Sequence, residues 1–285
     1  MISEMLLESV VREALSEDLG SGDVTTSSII PSAQKARGVA LAKGAGVLAG
    51  VEVSAKVFRT TDPSCKIAIH KGDGSRLFEG DSIMEVVGLA APMLMAERVA
   101  LNFLQRMSGI ATETARYVDA ARGLKAKIID TRKTTPGLRA LEKYAVLVGG
   151  GFNHRFGLYD GVLVKDNHIA LTRGLGLPLV EAVRALKAKV PHTMRVEVEA
   201  SDLAKVREAL EAGADAILLD NMSADEIKAA VKLVGGRAIL EASGGITLEN
   251  VRGIAETGVD LISVGAITHS APSLDISLEI EPVSG

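Results

Sequence analysis

The chain has 285 residues, a net charge of −4 and 47% hydrophobic residues, values that favour one large α/β unit with a smaller companion and exclude a mostly disordered chain. This acidic balance gives no general attraction to nucleic acid or anionic membranes, so any anion site must come from a local concentration of Arg and Lys. With 3% aromatic residues and no Trp, the core must consist of Ala, Val, Leu and Ile, which suits parallel strands covered by helices.

The N-terminal part contains short apolar runs separated by Gly and Asp, and it predicts an α+β domain over residues 1–115. Residues 2–18 carry regularly spaced charges, which is typical of an amphipathic helix and not of a signal peptide. We expect strands near Val39–Ala42, Ile67–His70 and Ser82–Val87, a helix near Val51–Arg59, and a long helix over 91–122 in which a break near Ser108–Gly109 is left open.

The only cysteine is Cys65, which excludes an intramolecular disulfide and favours a reducing compartment. We expect it to be a small buried side chain without a catalytic role. The longest uncharged apolar stretch, Val86–Ala96, is shorter than the roughly 18 to 20 residues that a membrane helix needs. The sequence therefore predicts a cytoplasmic protein without a membrane segment.

Beyond the long helix, six strand-like runs alternate with helical segments, which predicts a serial βα domain over residues 116–274. Such a pattern suits either an open doubly wound sheet or an incomplete barrel. Each run ends in a polar residue or Gly, and in a barrel all of these ends would meet at one mouth. The runs are Lys127–Asp130, Gly161–Lys165, Met194–Ala200, Ala214–Asp220, Arg237–Glu241 and Asp260–Gly265.

The last segment, 275–281, alternates apolar residues with Ser and Glu. This pattern is typical of a strand that is buried on one face only. It differs from the fully apolar runs of the barrel, so we expect this strand to return to the first domain.

Cations concentrate after the first two runs of the predicted barrel, and they include Arg132, Lys133, His154, Arg155 and Lys165. Carboxylates are absent from 131–137 and 149–159, whereas a solvated protein surface would mix the two signs of charge. Any single Arg here could be a solvated loop residue, but the set indicates an anion site. Arg suits a carboxylate and Lys suits a phosphate, so we expect two anionic ligands.

Glycines follow the last two runs, at Ser243–Gly245 and at Gly265. Backbone N–H groups that Gly exposes at the start of a helix can bind a phosphate, although Gly in a tight turn is an equally good explanation. Glu199 and Asp220 end the two runs before them and could bind sugar hydroxyls, a metal or a developing cation, or form structural ion pairs. Glu197 points to the same side of its strand as Glu199, and it ranks behind Glu199 and Asp220 as a candidate site residue.

At these residues the chain resembles the quinolinate phosphoribosyltransferases. The resemblance extends over nearly the whole chain and continues in order through VEVEA, LLDNM, EASGGI and SVGAIT. Its longest motifs are EDLGSGDVTT at 17–26, SGIAT at 108–112, DTRKTTPGLRALEKYAV at 130–146, GGGFNHRFGL at 149–158 and VKDNH at 164–168.

The resemblance implies a role for each matching residue. Quinolinate would be surrounded by Thr131, Arg132, His154, Arg155, Lys165 and, from a neighbouring subunit, Arg98. Phosphoribosyl pyrophosphate would contact Lys133, Glu199, Asp220, Ser243, Gly244, Gly245 and Gly265. Lys165, Glu199 and Asp220 would be catalytic, with Glu199 and Asp220 holding Mg2+ directly or indirectly.

The resemblance also implies an N-terminal open-faced α/β sandwich, an incomplete α/β barrel, and a homodimer or larger assembly. The implied reaction joins quinolinate to phosphoribosyl pyrophosphate with loss of CO2, giving nicotinate mononucleotide for NAD synthesis. The alternative within the same superfamily is the related protein encoded beside molybdate transport systems, against which the KDNH string at 165–168 argues. A non-catalytic phosphate-binding protein would not need Glu199 and Asp220 together.

Overall fold

The structure is a computed structural model, and it describes residues 2–283. Its contacts divide the chain into two compact units, each built from separate stretches of sequence. The first unit contains residues up to 115 together with 134–150 and the C-terminal part from 268. The second contains 116–133 and 151–267.

A four-stranded antiparallel sheet forms the centre of the first unit, with the strand order β12-β1-β5-β3. Its alternating burial places Ala36, Ala40 and Ala42 of the first strand in the core. The C-terminal strand pairs with β1 along its whole length, from Lys35 opposite Val283 to Ala42 opposite Ile276. The strands are β1 Lys35–Ala42, β3 Lys66–Ile69, β5 Ser82–Leu89 and β12 Ile276–Val283, and a separate pair contains β2 Gly46–Val47 and β4 Arg76–Leu77.

Three helices of the first unit begin where side chains satisfy free backbone N–H groups. Ser3 accepts from Leu6 at the start of α1, and Asp23 accepts from Thr26 at the start of α2. Asp73 lies far from α3 in sequence, yet its carboxylate accepts from the backbone N–H groups of Gly50 and Val51. The helices are α1 Glu4–Leu19, α2 Val24–Ile29, α3 Val51–Thr61, α4 Ala90–Ala120 and α5 Arg139–Val148.

The long helix α4 runs without a break through Ser108 and Gly109. Gly109 is explained by a close approach, because a Cβ atom there would lie 2.0 Å from the carbonyl oxygen of Pro272. The structure therefore rejects the break that the sequence left open. Packing against another backbone, and not helix termination, requires this glycine.

Helix α5 belongs to the first unit, whereas the sequence assigned residues 134–150 to the barrel domain. Arg106 of α4 contacts the buried carboxylate of Glu142 at 2.9 Å. Gly149 packs so closely on α4 that a Cβ atom would lie 2.5 Å from the carbonyl oxygen of Ala111. These contacts are distant in sequence, so the local pattern that defined α5 as part of a βα series could not reveal them.

The second unit contains a six-stranded parallel sheet with the order β6-β11-β10-β9-β8-β7. The last strand pairs with the first, as in a barrel, but β6 and β7 are both edges, so the barrel is incomplete. An isolated parallel bridge between Ile129 and Phe152 lies beside this opening. This order confirms the incomplete barrel and excludes the doubly wound alternative. The strands are β6 Lys127–Ile129, β7 Val162–Val164, β8 Val196–Ala200, β9 Ala216–Asp220, β10 Ile239–Ser243 and β11 Leu261–Ser263.

Helices follow the strands of the barrel, and buried Val206, Ile227 and Val251 pack their apolar faces into its core. Over residues 2–283, no helix is both long enough and apolar enough to cross a membrane. Cys65 is a free, half-buried thiol, and burial raises its pKa. The helices are α6 Asp166–Gly174, α7 Leu179–Lys187, α8 Leu203–Glu211, α9 Ala224–Val234, α10 Val251–Ala255 and α11 Ala266–His269, the last of which crosses the boundary between the units.

Candidate active site

A cavity of about 340 Å³ lies at the C-terminal ends of the barrel strands. This is the edge where barrel enzymes hold their reacting groups, because all parallel strands point their ends towards it. The residues that line it lie in the strands, in the segments directly after them, or in the segment between α5 and β7. They are Thr131, Arg132, Lys133, His154, Arg155, Leu163, Lys165, Glu199, Leu218, Asp220, Glu241, Ser243 and Ser263.

Four cationic side chains from separate parts of the sequence line this one cavity: Arg132 and Lys133 follow β6, Arg155 precedes β7, and Lys165 follows β7. The guanidinium of Arg155 donates to the carbonyl oxygen of Gly161 at 3.0 Å, which fixes its direction. Burial, followed by the charge of Arg132, lowers the pKa of Arg155. Because burial and a like charge both disfavour the charged form of Arg155, and because four cations line the cavity, it is suited to an anion of more than one charge.

His154 is held by hydrogen bonds at both its backbone and its ring. The buried carboxylate of Asp130 accepts from the backbone N–H of His154 at 2.8 Å and from the side-chain amide of Asn153 at 2.7 Å. The backbone N–H of Arg155 donates to Nδ1 of the ring at 2.6 Å. Nδ1 is therefore an acceptor, and in the neutral ring the proton is on Nε2.

Nε2 of His154 faces two buried carboxylates, at 3.2 Å from Glu197 Oε2 and 3.6 Å from Glu241 Oε2. Only 11% of the Glu197 side chain and 2% of the Glu241 side chain are exposed. Burial, and then the charge of Glu197, raises the pKa of Glu241 well above its usual range. Two full negative charges about 4 Å apart would repel by about 4 kcal/mol at an effective dielectric constant near 20, so the pair favours retaining a proton.

A second pair of carboxylates, Glu199 and Asp220, ends the neighbouring strands β8 and β9 and is only half-buried. Burial raises the pKa of Glu199 first, and the charges of Asp220 and Asp166 raise it further. Lys165 acts in the opposite direction. The side-chain amide of Asn221 donates to Asp220 at 3.0 Å and orients it towards the strand end.

The glycine turn after β10 borders a second cavity of about 630 Å³, and Ser243 lines both cavities. Gly244 has a φ of 89°, and a Cβ atom there would lie 2.2 Å from Oδ1 of Asn221. Only Gly satisfies both conditions. The sequence placed this turn at the start of a helix, but α10 begins at Val251 and the intervening residues form a separate turn.

The predicted site residues divide into four groups by position. Nine of them line the cavity of about 340 Å³, and Gly244 and Gly245 line the second cavity. Gly265 follows β11, and neither lining includes it over residues 2–283. Arg98 is an exposed residue of α4 in the first unit. The nine are Thr131, Arg132, Lys133, His154, Arg155, Lys165, Glu199, Asp220 and Ser243.

The sequence analysis did not select Glu241 or Ser263, and it ranked Glu197 second. A signal for Glu241 was present, because a charged residue occurred inside an otherwise apolar strand, at Ile239–Ser243. His168, part of the KDNH string, has a structural task in the described residues, since its Nδ1 accepts from the backbone N–H of Lys165 at 2.9 Å.

Two family models match the chain and together cover most of its length. Residues 110–279 match "Quinolinate phosphoribosyl transferase, C-terminal domain", and residues 23–108 match "Quinolinate phosphoribosyl transferase, N-terminal domain". The boundary between the two matches lies within α4. Every residue that lines the cavity falls within the first match.

Named relatives and solved structures agree with these models. The chain is 43% identical to the "Probable nicotinate-nucleotide pyrophosphorylase [carboxylating]" of Bacillus subtilis, over 98% of this chain and 95% of that one. It is 44% identical to the "Quinolinate phosphoribosyltransferase [decarboxylating] 2a, mitochondrial" of Nicotiana tabacum, over 96% of this chain and 82% of that one. The crystal structure of NadC from Streptococcus pyogenes superposes with a TM-score of 0.94 at 42% identity, covering 100% of this chain and 99% of that one.

Proposed function

Since the chain belongs to the quinolinate phosphoribosyltransferase family and is a decarboxylating phosphoribosyl-transferring enzyme, we propose that its reaction takes place in the cavity at the barrel strand ends. The overall reaction joins quinolinate and phosphoribosyl pyrophosphate and releases pyrophosphate and CO2. Its nucleotide product is nicotinate mononucleotide. The related protein of molybdate systems is not favoured by the relatives described above.

One observation carries this proposal: four cations and three carboxylates, those of Glu199, Asp220 and Glu241, line a single cavity. Quinolinate is a dicarboxylate, and the forks of Arg132 and Arg155 match carboxylates with two parallel hydrogen bonds. Lys165, which follows β7, would complete the charge balance. Thr131 and His154 would add neutral contacts. The lowered pKa of Arg155 supports this role, because an entering carboxylate would relieve the repulsion from Arg132.

Phosphoribosyl pyrophosphate would lie beside Glu199 and Asp220, with its pyrophosphate against Lys133 and its 5-phosphate against Ser243, Gly244, Gly245 and Gly265. The shared Ser243 supports this placement, because it connects the two cavities. Asp220 is the last residue of β9, and it lies directly opposite Ser243 of the neighbouring strand β10. A carboxylate at that position is suited to accept hydrogen bonds from ribose hydroxyls.

Glu199 and Asp220 would also hold Mg2+, directly or through water. Burial and then the charge of Asp220 raise the pKa of Glu199, and a divalent cation would offset the repulsion between the two carboxylates. Carboxylate oxygens are hard ligands of the kind that Mg2+ prefers. When bound, the ion would stabilise the negative charge on the departing pyrophosphate.

In the first step, the quinolinate ring nitrogen attacks ribose C1 while the bond to pyrophosphate breaks. Positive charge develops on the ribose, and the carboxylates of Glu199 and Asp220 stabilise it, while Lys133 stabilises the leaving group. The ring nitrogen is then a pyridinium, and its positive charge stabilises the electron pair that stays on the neighbouring ring carbon when the carboxylate departs as CO2. Lys165 or a water molecule would supply the proton to that carbon.

Arg98 would complete the quinolinate site of a neighbouring subunit in a homodimer or larger assembly. Its exposure on α4 is compatible with this role. Arg98→Ala and Lys165→Ala proteins should each be nearly inactive, whereas subunit exchange between them should restore activity. In a mixed two-fold dimer one site carries both changes and the other is intact, so random mixing returns roughly a quarter of wild-type activity. Absence of recovery after demonstrated exchange would contradict the role of Arg98.

The assay for the proposed reaction uses purified protein with quinolinate, phosphoribosyl pyrophosphate and Mg2+. We expect CO2 and nicotinate mononucleotide in equal amounts, and no product when quinolinate is left out. Nicotinate serves as the comparison substrate, because it lacks the carboxylate that would be lost. Turnover of nicotinate without turnover of quinolinate would overturn the proposal.

A further inference from the structure

Asn221 connects the two cavities at the strand ends. It directly follows Asp220, the last residue of β9, which lines the cavity of about 340 Å³. Asn221 itself lines the second cavity, of about 630 Å³, together with the glycine turn after β10. The reaction steps above give it no task, although it lies between the carboxylate proposed for the ribose and the turn proposed for the 5-phosphate.

The backbone of Asn221 adopts a conformation that residues other than Gly rarely adopt. Its φ is 55°, and over residues 2–283 no other residue except Gly has a positive φ. Asn tolerates this left-handed region better than most residues, but the conformation persists only where the surroundings hold it. The backbone N–H of Asn221 donates to the carbonyl oxygen of Ser243 at 2.9 Å. This bond joins the ends of β9 and β10 one residue beyond their last pair, Asp220 opposite Ser243.

The side-chain amide of Asn221 contacts both the carboxylate and the glycine turn. Its Nδ2 donates to Asp220 Oδ2 at 3.0 Å. Its Oδ1 occupies the space beside Gly244, where a Cβ atom would lie 2.2 Å from that oxygen. One short side chain therefore sets the direction of the Asp220 carboxylate and packs on the backbone of the turn.

Asn250 holds the same turn from its other side and gives a comparison. Its Oδ1 accepts from the backbone N–H of Thr247, and its Nδ2 donates to the carbonyl oxygen of Gly245, both at 2.8 Å. These two bonds stay within the turn, whereas the bonds of Asn221 reach the ends of β9 and β10. Asn250 therefore shapes the turn, and Asn221 fixes the turn relative to a carboxylate.

We propose that Asn221 is a positioning residue that holds the carboxylate of Asp220 at a fixed distance and direction from the glycine turn. The ribose hydroxyls and the 5-phosphate belong to one molecule, so both are bound together only when the carboxylate and the turn are correctly spaced. The left-handed backbone of Asn221 allows its amide to reach both. For the identity of the sugar phosphate, this inference rests on the proposed function.

The first test is Asn221→Gly, which keeps the backbone conformation and removes the amide. Gly adopts a φ of this sign without strain, so the urea midpoint should stay close to that of the unaltered protein. KM for phosphoribosyl pyrophosphate should rise about 10-fold, because a hydrogen bond to a charged group is lost. KM for quinolinate should stay within error. If Asn221 served only the turn, Gly would replace it fully, and two unchanged KM values would overturn the proposal.

Two phosphate monoesters separate spacing from a general loss of phosphate binding. Ribose 5-phosphate has to reach both the carboxylate and the turn, whereas methyl phosphate has no hydroxyl groups and needs the turn alone. Phosphorus-31 NMR titrations without metal and without quinolinate measure both affinities. In Asn221→Gly, binding of ribose 5-phosphate should weaken about 10-fold and binding of methyl phosphate should not change. In Asn250→Ala, both should weaken by the same factor.

Equal weakening of the two monoesters in Asn221→Gly would indicate that this residue only shapes the turn, and it would overturn the proposal. The titrations do not depend on turnover, so they separate this inference from the proposed function. Absence of nicotinate mononucleotide from the unaltered protein would contradict the proposed function. Normal turnover with unchanged monoester binding in Asn221→Gly would contradict the inference alone.

A double substitution tests the contact between the amide and the turn. Gly244→Ala adds the Cβ atom that collides with Oδ1 of Asn221, so the amide should move and lose its bond to Asp220. In Asn221→Gly the collision is absent, so adding Gly244→Ala should raise KM for phosphoribosyl pyrophosphate by a smaller factor there than in the unaltered protein. Factors that multiply would show independent residues and overturn the proposal. Thr193→Gly, at an exposed turn before β8, is the matched control and should behave as the unaltered protein.

Discussion

Charged residues have different surroundings in the two sheets of this protein. On the four-stranded sheet, Arg37 contacts Glu85 at 2.7 Å and Glu281 at 2.8 Å, and 63% of the Glu281 side chain is exposed. At the ends of the six-stranded sheet, cations and carboxylates face a cavity, and Glu197 and Glu241 are buried. Water screens the first group, so its contribution to stability is small, whereas burial alters the ionisation of the second.

This difference shows that the types of charged residue do not identify a site, since Arg and Glu occur at both sheets. The two sheets differ in whether each charged side chain has a nearby partner of opposite charge. Glu281 lies directly opposite Arg37 in the strand register, so each charge is balanced locally. In the cavity, burial and then the charge of Asp220 raise the pKa of Glu199, and burial and then the charge of Arg132 lower the pKa of Arg155. Charged groups that are disfavoured in this way are typical of a site that a ligand completes.

The largest expected effect concerns the half-buried carboxylates. Glu199→Gln and Asp220→Asn should each lower kcat/KM for phosphoribosyl pyrophosphate by about 100- to 1000-fold, because stabilisation of the developing ribose charge is lost. Steady-state kinetics at saturating quinolinate measures this. Asp225→Asn, an exposed residue of α9, is the control and should behave as the unaltered protein. Normal kinetics in both cavity variants would place the ribose elsewhere.

A buried ion pair in the first unit tests whether burial, and not the sheet to which a residue belongs, explains the difference between the two groups of charged residues. Arg106→Met should lower the free energy of unfolding by about 3 kcal/mol, because it leaves the buried carboxylate of Glu142 uncompensated. Arg37→Met, at the exposed pair, should leave the urea midpoint nearly unchanged.

Adding Glu142→Gln to Arg106→Met should recover part of the lost stability, since the unbalanced charge is then removed. Urea unfolding followed by circular dichroism gives all of these values. If Arg106→Met and Arg37→Met were equally mild, burial would not be the property that distinguishes the two groups of charges.

Arg155→Lys keeps the charge but removes the planar fork. KM for quinolinate should rise about 10- to 100-fold, because bidentate hydrogen bonds to a carboxylate are lost. KM for phosphoribosyl pyrophosphate should stay within error. Arg207→Lys, exposed on α8, is the matched control. An unchanged KM for quinolinate in Arg155→Lys would remove this side chain from the pocket.

The smallest expected effect is a shift in the pH dependence of kcat/KM. The pKa of Glu199 is raised, so ionisation of this carboxylate requires a higher pH than usual, and activity falls as pH decreases through that pKa. Asp166→Asn removes one of the charges that raise it, so the acidic limb of the profile of kcat/KM should move to lower pH. The same profile for Asp225→Asn should not move, and a shift to higher pH in Asp166→Asn would contradict the assignment.

Much of the fold followed from periodicity, because apolar runs of strand length alternating with helical segments have few arrangements. All six predicted barrel strands are present, with ends that differ by up to two residues. The polar residues after those strands correctly predicted the position of the cavity, because parallel strands bring their ends to one edge of the sheet. This is why nine of the predicted residues line it.

The sequence by itself determined the series of βα units, the strand-end cations and the family motifs, because each is encoded by residues that are close together along the chain. Only the tertiary structure decided that Glu197, Glu241 and His154 meet, that α5 packs on α4, and that Gly109 contacts the backbone at Pro272. Strand parity gives the direction in which a side chain points, but not which side chain from another strand it faces. Those contacts depend on strand order and on the stagger between strands, which local patterns do not contain.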